Sequence, residues 1–427
     1  MRRLAIAYVV ALHLVTWLTQ GIGFTSDAAG YLDGIESLAT GRAAYFPPGY
    51  SLFLAPFAAI SPAAMGDAVA AAQHVLMIVT LLALSQLMRP VVGRTLAAWS
   101  LIIAGSAAPT LFLPQMILAE NVALAAMTGT LWLAARPSSL RMGVIDLLAG
   151  VCLGVAGRAR VVPLVAMSVP IVCVQLVPAQ WRRSLVRSLG VGAVGAALVL
   201  AVMVWTYSQT VRFALTTGQG LHLYNRVVTQ QGLVDDDGPA TRRLMDVLAG
   251  APLRVPHWTV GGLLYERGQS SAEIERLLGD VAREGMRTDR WGFVRYSFAQ
   301  AWRQYHTPPV LWTTPVAPTP VPRLERRLPA LLPPLGWYWW RFFTAGFAMV
   351  WPLLMWAPLL GLLLLPFIRE RRIFVALLAV PALYLLVSAQ LDLFSPRLSS
   401  AVVPFALVLV PAPLAALLRA IGRPPQD

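Results

Sequence analysis

The sequence predicts an all-α polytopic membrane protein with about ten transmembrane helices, each able to cross a hydrocarbon core of roughly 30 Å. Three observations lead there. Of the 427 residues, 57% are hydrophobic and only 13% charged, whereas a soluble surface stays wet with about a quarter charged. The apolar residues fall in blocks of about 16 to 25, the length a spanning helix needs. Each short loop on one side of the count carries at least two arginines, the bias that marks a cytoplasmic face. All 34 basic residues are arginines and the net charge is +14. Membrane orientation accounts for those charges, so no nucleic-acid partner is expected. Cys152 and Cys173 lie in apolar blocks, which excludes a disulfide framework and a cysteine metal site.

Taken in order, Met1-Arg2-Arg3 stays in the cytoplasm and the first block, 4–20, is a retained helix rather than a cleaved signal. Residues 21–62 then lie outside, and 66–87 returns to Arg89 and Arg94. Blocks 95–113 and 117–135 make a hairpin whose outer tip is Pro114-Gln115. Blocks 143–157 and 161–178 put Gly157-Arg158-Ala159-Arg160 outside, and 189–206 leads into a long loop. Three further blocks follow at 342–367, 373–388 and 399–418, so both termini are cytoplasmic. The expected units are a transmembrane module, 1–206, with 21–62 as its first outer loop; an extracytoplasmic loop region, 207–341; and C-terminal transmembrane helices, 342–427. Within the loop, 271–305 has the spacing of short amphipathic helices, and 307–334 is proline-rich and irregular. Trp337-Tyr338-Trp339-Trp340 reads as an interfacial belt.

The first outer loop is the most informative stretch. Thr25-Ser26 can cap a short helix whose first turn holds Asp27, with Tyr31 four residues on along the same face. A carboxylate at the membrane–water boundary suits general-base work on a hydroxyl; the plainer alternative is that Asp27 only starts a surface helix. Glu120 opens an apolar helix on the same side. Arg158, Arg160 and Arg397 map to outer helix ends, where a buried charge is costly without a partner. A lipid-linked phosphate could be that partner, because guanidinium binds its oxygens in a fork; snorkelling to head groups is the alternative. His13 and His74 read as packed histidines, and Asp235-Asp236-Asp237-Gly238 as a turn. His222, His257 and His306 show no metal-ligand spacing. No cofactor is indicated with certainty, and a divalent cation is conceivable but unsupported.

Asp27, Tyr31-Leu32 and Tyr45-Phe46-Pro47-Pro48-Gly49-Tyr50 with Phe53-Leu54 resemble the first extracytoplasmic loop of GT-C glycosyltransferases. The branch they resemble is the protein O-mannosyltransferase and aminoarabinose-transferase-like one, which uses polyprenyl-phosphate sugars. Glu120, the stretch 215–225 with His222 and Tyr224, and Pro396-Arg397-Leu398 with Pro404 resemble further segments in order. Three departures stand out: Ser208-Gln209 where the family often has Arg-Asn, His222 for the usual Asn, and Leu398 for a Tyr. The arginine-only basic content points to a bacterium, and hence to the plasma membrane; the resemblance implies a periplasmic active site serving the cell envelope. It implies sugar transfer from the lipid to a glycan, lipid or protein acceptor. Its site would be Asp27 as catalytic base with Glu120 as a second catalytic carboxylate, Arg158, Arg160 and Arg397 on the donor phosphate, and Tyr31, Tyr50, His222 and Tyr224 on substrate. The competing class is a transporter or lipid-linked-sugar flippase without transferase activity. It predicts ionisable residues in mid-helix and helices broken at Gly or Pro.

Overall fold

The computed structural model describes residues 1–42, 44–60, 64–136, 142–210, 213–215, 218–248, 252–308, 333–391 and 400–422. Arg397 with its neighbours, and most of the proline-rich stretch 307–334, fall outside the described residues. The described residues are mainly helical, with no strand among them.

The chain runs through α1 (Arg2–Thr19), α2 (Ser26–Ala39), α3 (Pro48–Ile60), α4 (Met65–Val92), α5 (Arg94–Gly105), α6 (Ala108–Phe112), α7 (Glu120–Ala134), α8 (Met142–Ala159), α9 (Val162–Ala166), α10 (Ser168–Gln175) and α11 (Trp181–Thr210). After α11 come α12 (Gln219–Tyr224), a π-helical turn (Asn225–Gln230), α13 (Pro239–Leu248), α14 (His257–Glu266), α15 (Ser271–Thr288) and α16 (Arg290–His306). The chain ends with α17 (Pro333–Leu363), α18 (Arg371–Leu391), α19 (Val403–Leu407) and α20 (Ala412–Ala420).

All ten apolar blocks are helical, but they are not ten equal spans. Six described helices are long and apolar enough to cross a membrane, and a seventh is formed if the bent pair α5 and α6 counts as one. That pair bends by 65°, for a local reason. Pro109 has no amide to donate to the Gly105 carbonyl four residues back and its ring would crowd that carbonyl, so α5 cannot run on through it; a new helix starts at Ala108 instead, capped by Ala107 in extended backbone with φ −71° and ψ 136°. Pro114-Gln115 is no exposed hairpin tip: Gln115 is 4% exposed, and its turn is buried among helices. Pro170 likewise follows the break between α9 and α10, and Pro411 caps α20 at the break from α19.

Glycines let α8 and α11 pack at short range. A Cβ at Gly150 would meet Val194 at 2.5 Å, and one at Gly154 would meet Leu198 at 2.5 Å. Small residues one turn apart are what brings helices this close in lipid, where no hydrophobic drive exists between them. At one end of this pair Asp146 accepts from Nε and Nη2 of Arg187, at 3.0 and 2.9 Å, and from Gln175 at 3.2 Å.

A second core forms after α11, where Tyr224, Val227, Leu244, Leu264, Leu278 and Val281 are buried together. Burial pushes the Tyr224 phenol up, and its hydroxyl donates to the Leu253 carbonyl at 2.7 Å. Asp235-Asp236-Asp237-Gly238 is a turn, closed by a bond from the Gly238 amide to the Asp235 carbonyl at 2.9 Å. The expected amphipathic helices at 271–305 are α15 and α16, each started by a side-chain cap, from Ser270 and Asp289. α16 packs along α18, and its Tyr305 hydroxyl donates to the Met355 carbonyl on α17 at 2.9 Å.

Candidate active site

A pair of backbone bonds creates the site. The Gly23 amide donates to the Gln115 carbonyl at 2.9 Å, and the Ile117 amide returns to the Gly23 carbonyl at 3.2 Å. This is a parallel bridge between Gly23 and Met116. Each strand of the bridge then runs four residues to a carboxylate in the first turn of a helix, Asp27 on α2 and Glu120 on α7. Two acids, Asp27 and Glu120, 93 residues apart in sequence, are thus delivered to the same place. Thr25 holds the N-cap position of α2 in extended backbone, although its side chain makes no cap bond.

Arg160, directly after α8, lies between them. Its Nη2 is 2.6 Å from Glu120 Oε1 and 4.0 Å from Asp27 Oδ2. The side chains of Arg160, Glu120 and Asp27 are 12%, 0% and 19% exposed, so Asp27 is the member of the three that solvent reaches most. Burial is the largest influence and would lower the guanidinium's pKa, but Glu120, Tyr31, Tyr384 and Asp27 together outweigh it and the net shift is upward. Arg160 is a fixed cation. Its Nε is buried without a hydrogen-bond partner among the described residues, which leaves a donor available to an incoming oxygen. Arg158 differs: its Nε donates to the Leu198 carbonyl on α11 at 3.0 Å. The two arginines that the sequence left equivalent therefore have different surroundings, and Arg160 is the one beside the carboxylates.

Arg160 is placed by Gly49. A Cβ there would lie 2.6 Å from the Arg158 carbonyl carbon and 2.7 Å from the Ala159 nitrogen, so the start of α3 touches the end of α8 backbone to backbone. The aromatic run around Gly49 closes the floor. Tyr31 and Tyr50 are both 0% exposed, with rings 4.9 Å apart edge to face. Phe46 stacks on Tyr31 at 4.7 Å. The Tyr50 hydroxyl donates to Gln73 Oε1 at 3.1 Å, and Gln73 Nε2 donates to the carbonyls of Pro114 and Met116 at 3.0 and 2.8 Å. Tyr50 thereby braces the bridge that positions Asp27 and Glu120. Tyr31 is within electrostatic reach of Arg160, as is Tyr384 on α18.

Beneath this floor a chain of polar groups fixes its own protons. Gln115 Nε2 donates to the Thr16 carbonyl at 3.1 Å and contacts His74 Nε2 at 2.9 Å. An amide nitrogen only donates, so His74 accepts at Nε2 and carries its proton at Nδ1. That proton points to His13 Nδ1, 2.8 Å away. The histidines are packed, as their apolar setting implied, and they are also paired.

His222 on α12 lies 6.2 Å, ring to ring, from Tyr45 of the first loop, and Tyr224 belongs to the second core. Gln73, Tyr384 and Gly49 have positions at the site that sequence reasoning did not single out as roles. Gln73 alone carried a signal, as an amide inside an apolar block. Among the described residues no three His, Cys, Asp or Glu side chains converge to hold a metal.

No family model matches the sequence, and no curated protein matches it. In structure the chain is similar to ArnT from Cupriavidus metallidurans bound to undecaprenyl phosphate, at 15% identity and a TM-score of 0.38, covering 99% of this chain and 80% of that one. The apo form of ArnT from the same organism matches at 13% identity and a TM-score of 0.38, covering 95% and 78%. The archaeal oligosaccharyltransferase AglB from Archaeoglobus fulgidus, in complex with an inhibitory peptide and a dolichol-phosphate, matches at 11% identity and a TM-score of 0.44. It is covered over 52% of its length, for 99% of this chain.

Proposed function

We propose that the chain transfers a sugar from a polyprenyl-phosphate-linked donor to an acceptor hydroxyl at the extracytoplasmic face, with inversion. One observation carries this: a partly exposed carboxylate, Asp27, stands 4.0 Å from a fixed cation, Arg160, which a fully buried second carboxylate holds. Asp27 accepts the acceptor's proton as its oxygen bonds to the anomeric carbon, and the bond from that carbon to the phosphate oxygen breaks. The electron pair leaves with the phosphate, whose charge Arg160 meets through the donors Glu120 does not use. Arg397 is proposed as a second phosphate ligand on the motif resemblance alone. Glu120 acts as a positioning residue for Arg160. The loop region 207–341 shapes the acceptor side, where Tyr45 and His222 meet, and the modules 1–206 and 342–427 enclose the lipid.

The test is transfer by purified protein from a panel of labelled polyprenyl-phosphate sugars to membrane extract. General-base removal costs about 10²–10⁴-fold, so Asp27→Asn is expected to lose transfer by that factor while unfolding at the wild-type temperature. Equal transfer by both proteins would remove Asp27 as the base and move that role to Glu120. A second reading, a lipid-linked-sugar flippase, draws on the 65° break between α5 and α6 and on the buried His13–His74 pair, since broken helices and buried ionisable groups mark transport paths. Movement of a lipid-linked sugar across vesicles by a protein inactive with every donor would favour it.

A further inference from the structure

α13 and α15 enclose a cleft of about 470 Å³ that shares no residue with the Asp27 site. Four arginines line it, Arg243 from α13 and Arg276, Arg283 and Arg287 from α15, together with Glu273, Asp280 and Glu284. Counted as charges, the wall is nearly balanced. Counted by what each carboxylate already does, it is not. Glu284 is fully engaged across the start of α13, accepting from the Ala240 and Thr241 amides at 2.9 Å each and from the Thr241 hydroxyl at 3.0 Å. Glu273 closes the capping box with Ser270, at 2.9 Å to its amide and 2.7 Å to its hydroxyl. Asp280 pairs with Arg283.

Arg243, Arg276 and Arg287 remain. Each is exposed, and none makes a hydrogen bond or ion pair among the described residues. The bonds from Ser270 hold the Glu273 carboxyl below its usual range, and Arg243 and Arg276 add to this from nearby. Residues 276, 283 and 287 share one face of α15 and span about 16 Å along its axis at 1.5 Å per residue. A single small anion cannot reach both ends of such a row, whereas a chain with anionic groups at intervals can. The wall is concave and carries no aromatic side chain. An anionic membrane surface would instead suit a convex face with aromatic anchors.

We propose that this cleft binds a polyanionic glycan, a saccharide chain bearing carboxylate or phosphate groups, through forked contacts from Arg243, Arg276 and Arg287. The proposal concerns binding and does not depend on the transfer reaction.

The experiment measures binding of a fluorescent galacturonate tetramer to the purified full chain in neutral detergent. A neutral glucose tetramer, inorganic phosphate and anionic vesicles serve as parallel probes. The expected result is binding of the charged tetramer that weakens as salt rises and falls at least tenfold in the Arg243→Gln/Arg276→Gln/Arg287→Gln variant. The exposed Arg295→Gln control on α16 leaves it unchanged. These arginines are exposed, and thermal unfolding of the triple variant verifies that the fold is intact. Absence of binding, equal binding of the neutral tetramer, or charged binding untouched by the triple substitution each overturns the proposal. Inorganic phosphate displacing the tetramer at equal concentration reduces the cleft to a simple anion site, and a preference for vesicles makes it a membrane contact; either result overturns a glycan site.

Discussion

Gly49→Ala is the sharpest perturbation the structure offers, because it changes one methyl group outside the charged cluster. A Cβ at Gly49 would stand 2.6 Å from the Arg158 carbonyl carbon, 2.7 Å from the Ala159 nitrogen and 2.8 Å from the Arg158 oxygen. All three atoms are backbone, so no rotamer can relieve the contact. Restoring ordinary contact, near 3.4 Å, parts the start of α3 from the end of α8 by about 0.8 Å. Overpacking of this kind costs about 1–3 kcal/mol of stability. Its effect on chemistry is larger, since Arg160 follows the displaced residues directly and its distance to Asp27 is already 4.0 Å. A misplacement near 1 Å costs about 10²-fold in rate, or about 2.7 kcal/mol of activation energy at 1.36 kcal/mol per tenfold.

The assay compares kcat/KM for sugar transfer with the unfolding temperature in the same preparation. Gly192→Ala serves as the control, because nothing lies within 4 Å of the added Cβ on α11 and alanine favours a helix over glycine by about 1 kcal/mol. Gly49→Ala should lose about a hundredfold in kcat/KM with a modest fall in unfolding temperature, and Gly192→Ala should lose nothing. Full activity in Gly49→Ala would refute the reasoning, since the contact between α3 and α8 would then not be what sets Arg160.

Other substitutions separate roles. Arg160→Met should abolish transfer and Arg158→Met should reduce it far less, read as kcat at saturating donor. Glu120→Gln removes one partner of a buried pair, which costs about 3–5 kcal/mol when no other anion compensates; Asp27 at 4.0 Å should hold the loss, followed by thermal unfolding, toward the low end. Asp146→Asn should lower the unfolding temperature with kcat unchanged. Arg226, 0% exposed, lies 4.5 Å over the Tyr296 ring and donates to Ser297 Oγ at 3.2 Å. Replacing it by Met should therefore leave stability equal or higher, because an apolar side chain of similar volume avoids the cost of burying charge, whereas Arg226→Ala should lower it through the cavity left behind.

What was legible in the sequence follows the reach of each physical signal. Hydropathy acts residue by residue, so the ten apolar blocks and the helices α15 and α16 could be read directly. Span lengths depend on where prolines interrupt a block, and Pro109 ends one in a way that composition averages over. Asp27, Glu120 and Arg160 were each visible as charges at apolar block ends. Their convergence was not, because it rests on the bridge between Gly23 and Met116, two backbone bonds with no side-chain signature. Arg158 and Arg160 could not be told apart for the same reason: helix phase decides which faces α11 and which faces Glu120. Tyr31 and Tyr50 were read as substrate ligands, and the structure places both as buried rings, with Tyr50 holding Gln73.

The two ends of α8 show why the cluster at Arg160 invites chemistry. Near the start of the helix, Asp146 receives two bonds from Arg187 at 3.0 and 2.9 Å and one from Gln175. Cation and anion there match one to one, and both carboxylate oxygens are engaged. That is what a buried pair needs in order to be neutral in its effect on stability. At the other end one guanidinium meets two carboxylates unequally, at 2.6 and 4.0 Å, and its Nε has no partner among the described residues. A fold selecting only for stability would gain by closing the second arrangement as it closed the first, since an incompletely satisfied buried network is worse than an apolar one. Its persistence beside a partly exposed carboxylate is explained if the missing partner is a substrate oxygen that arrives charged and leaves.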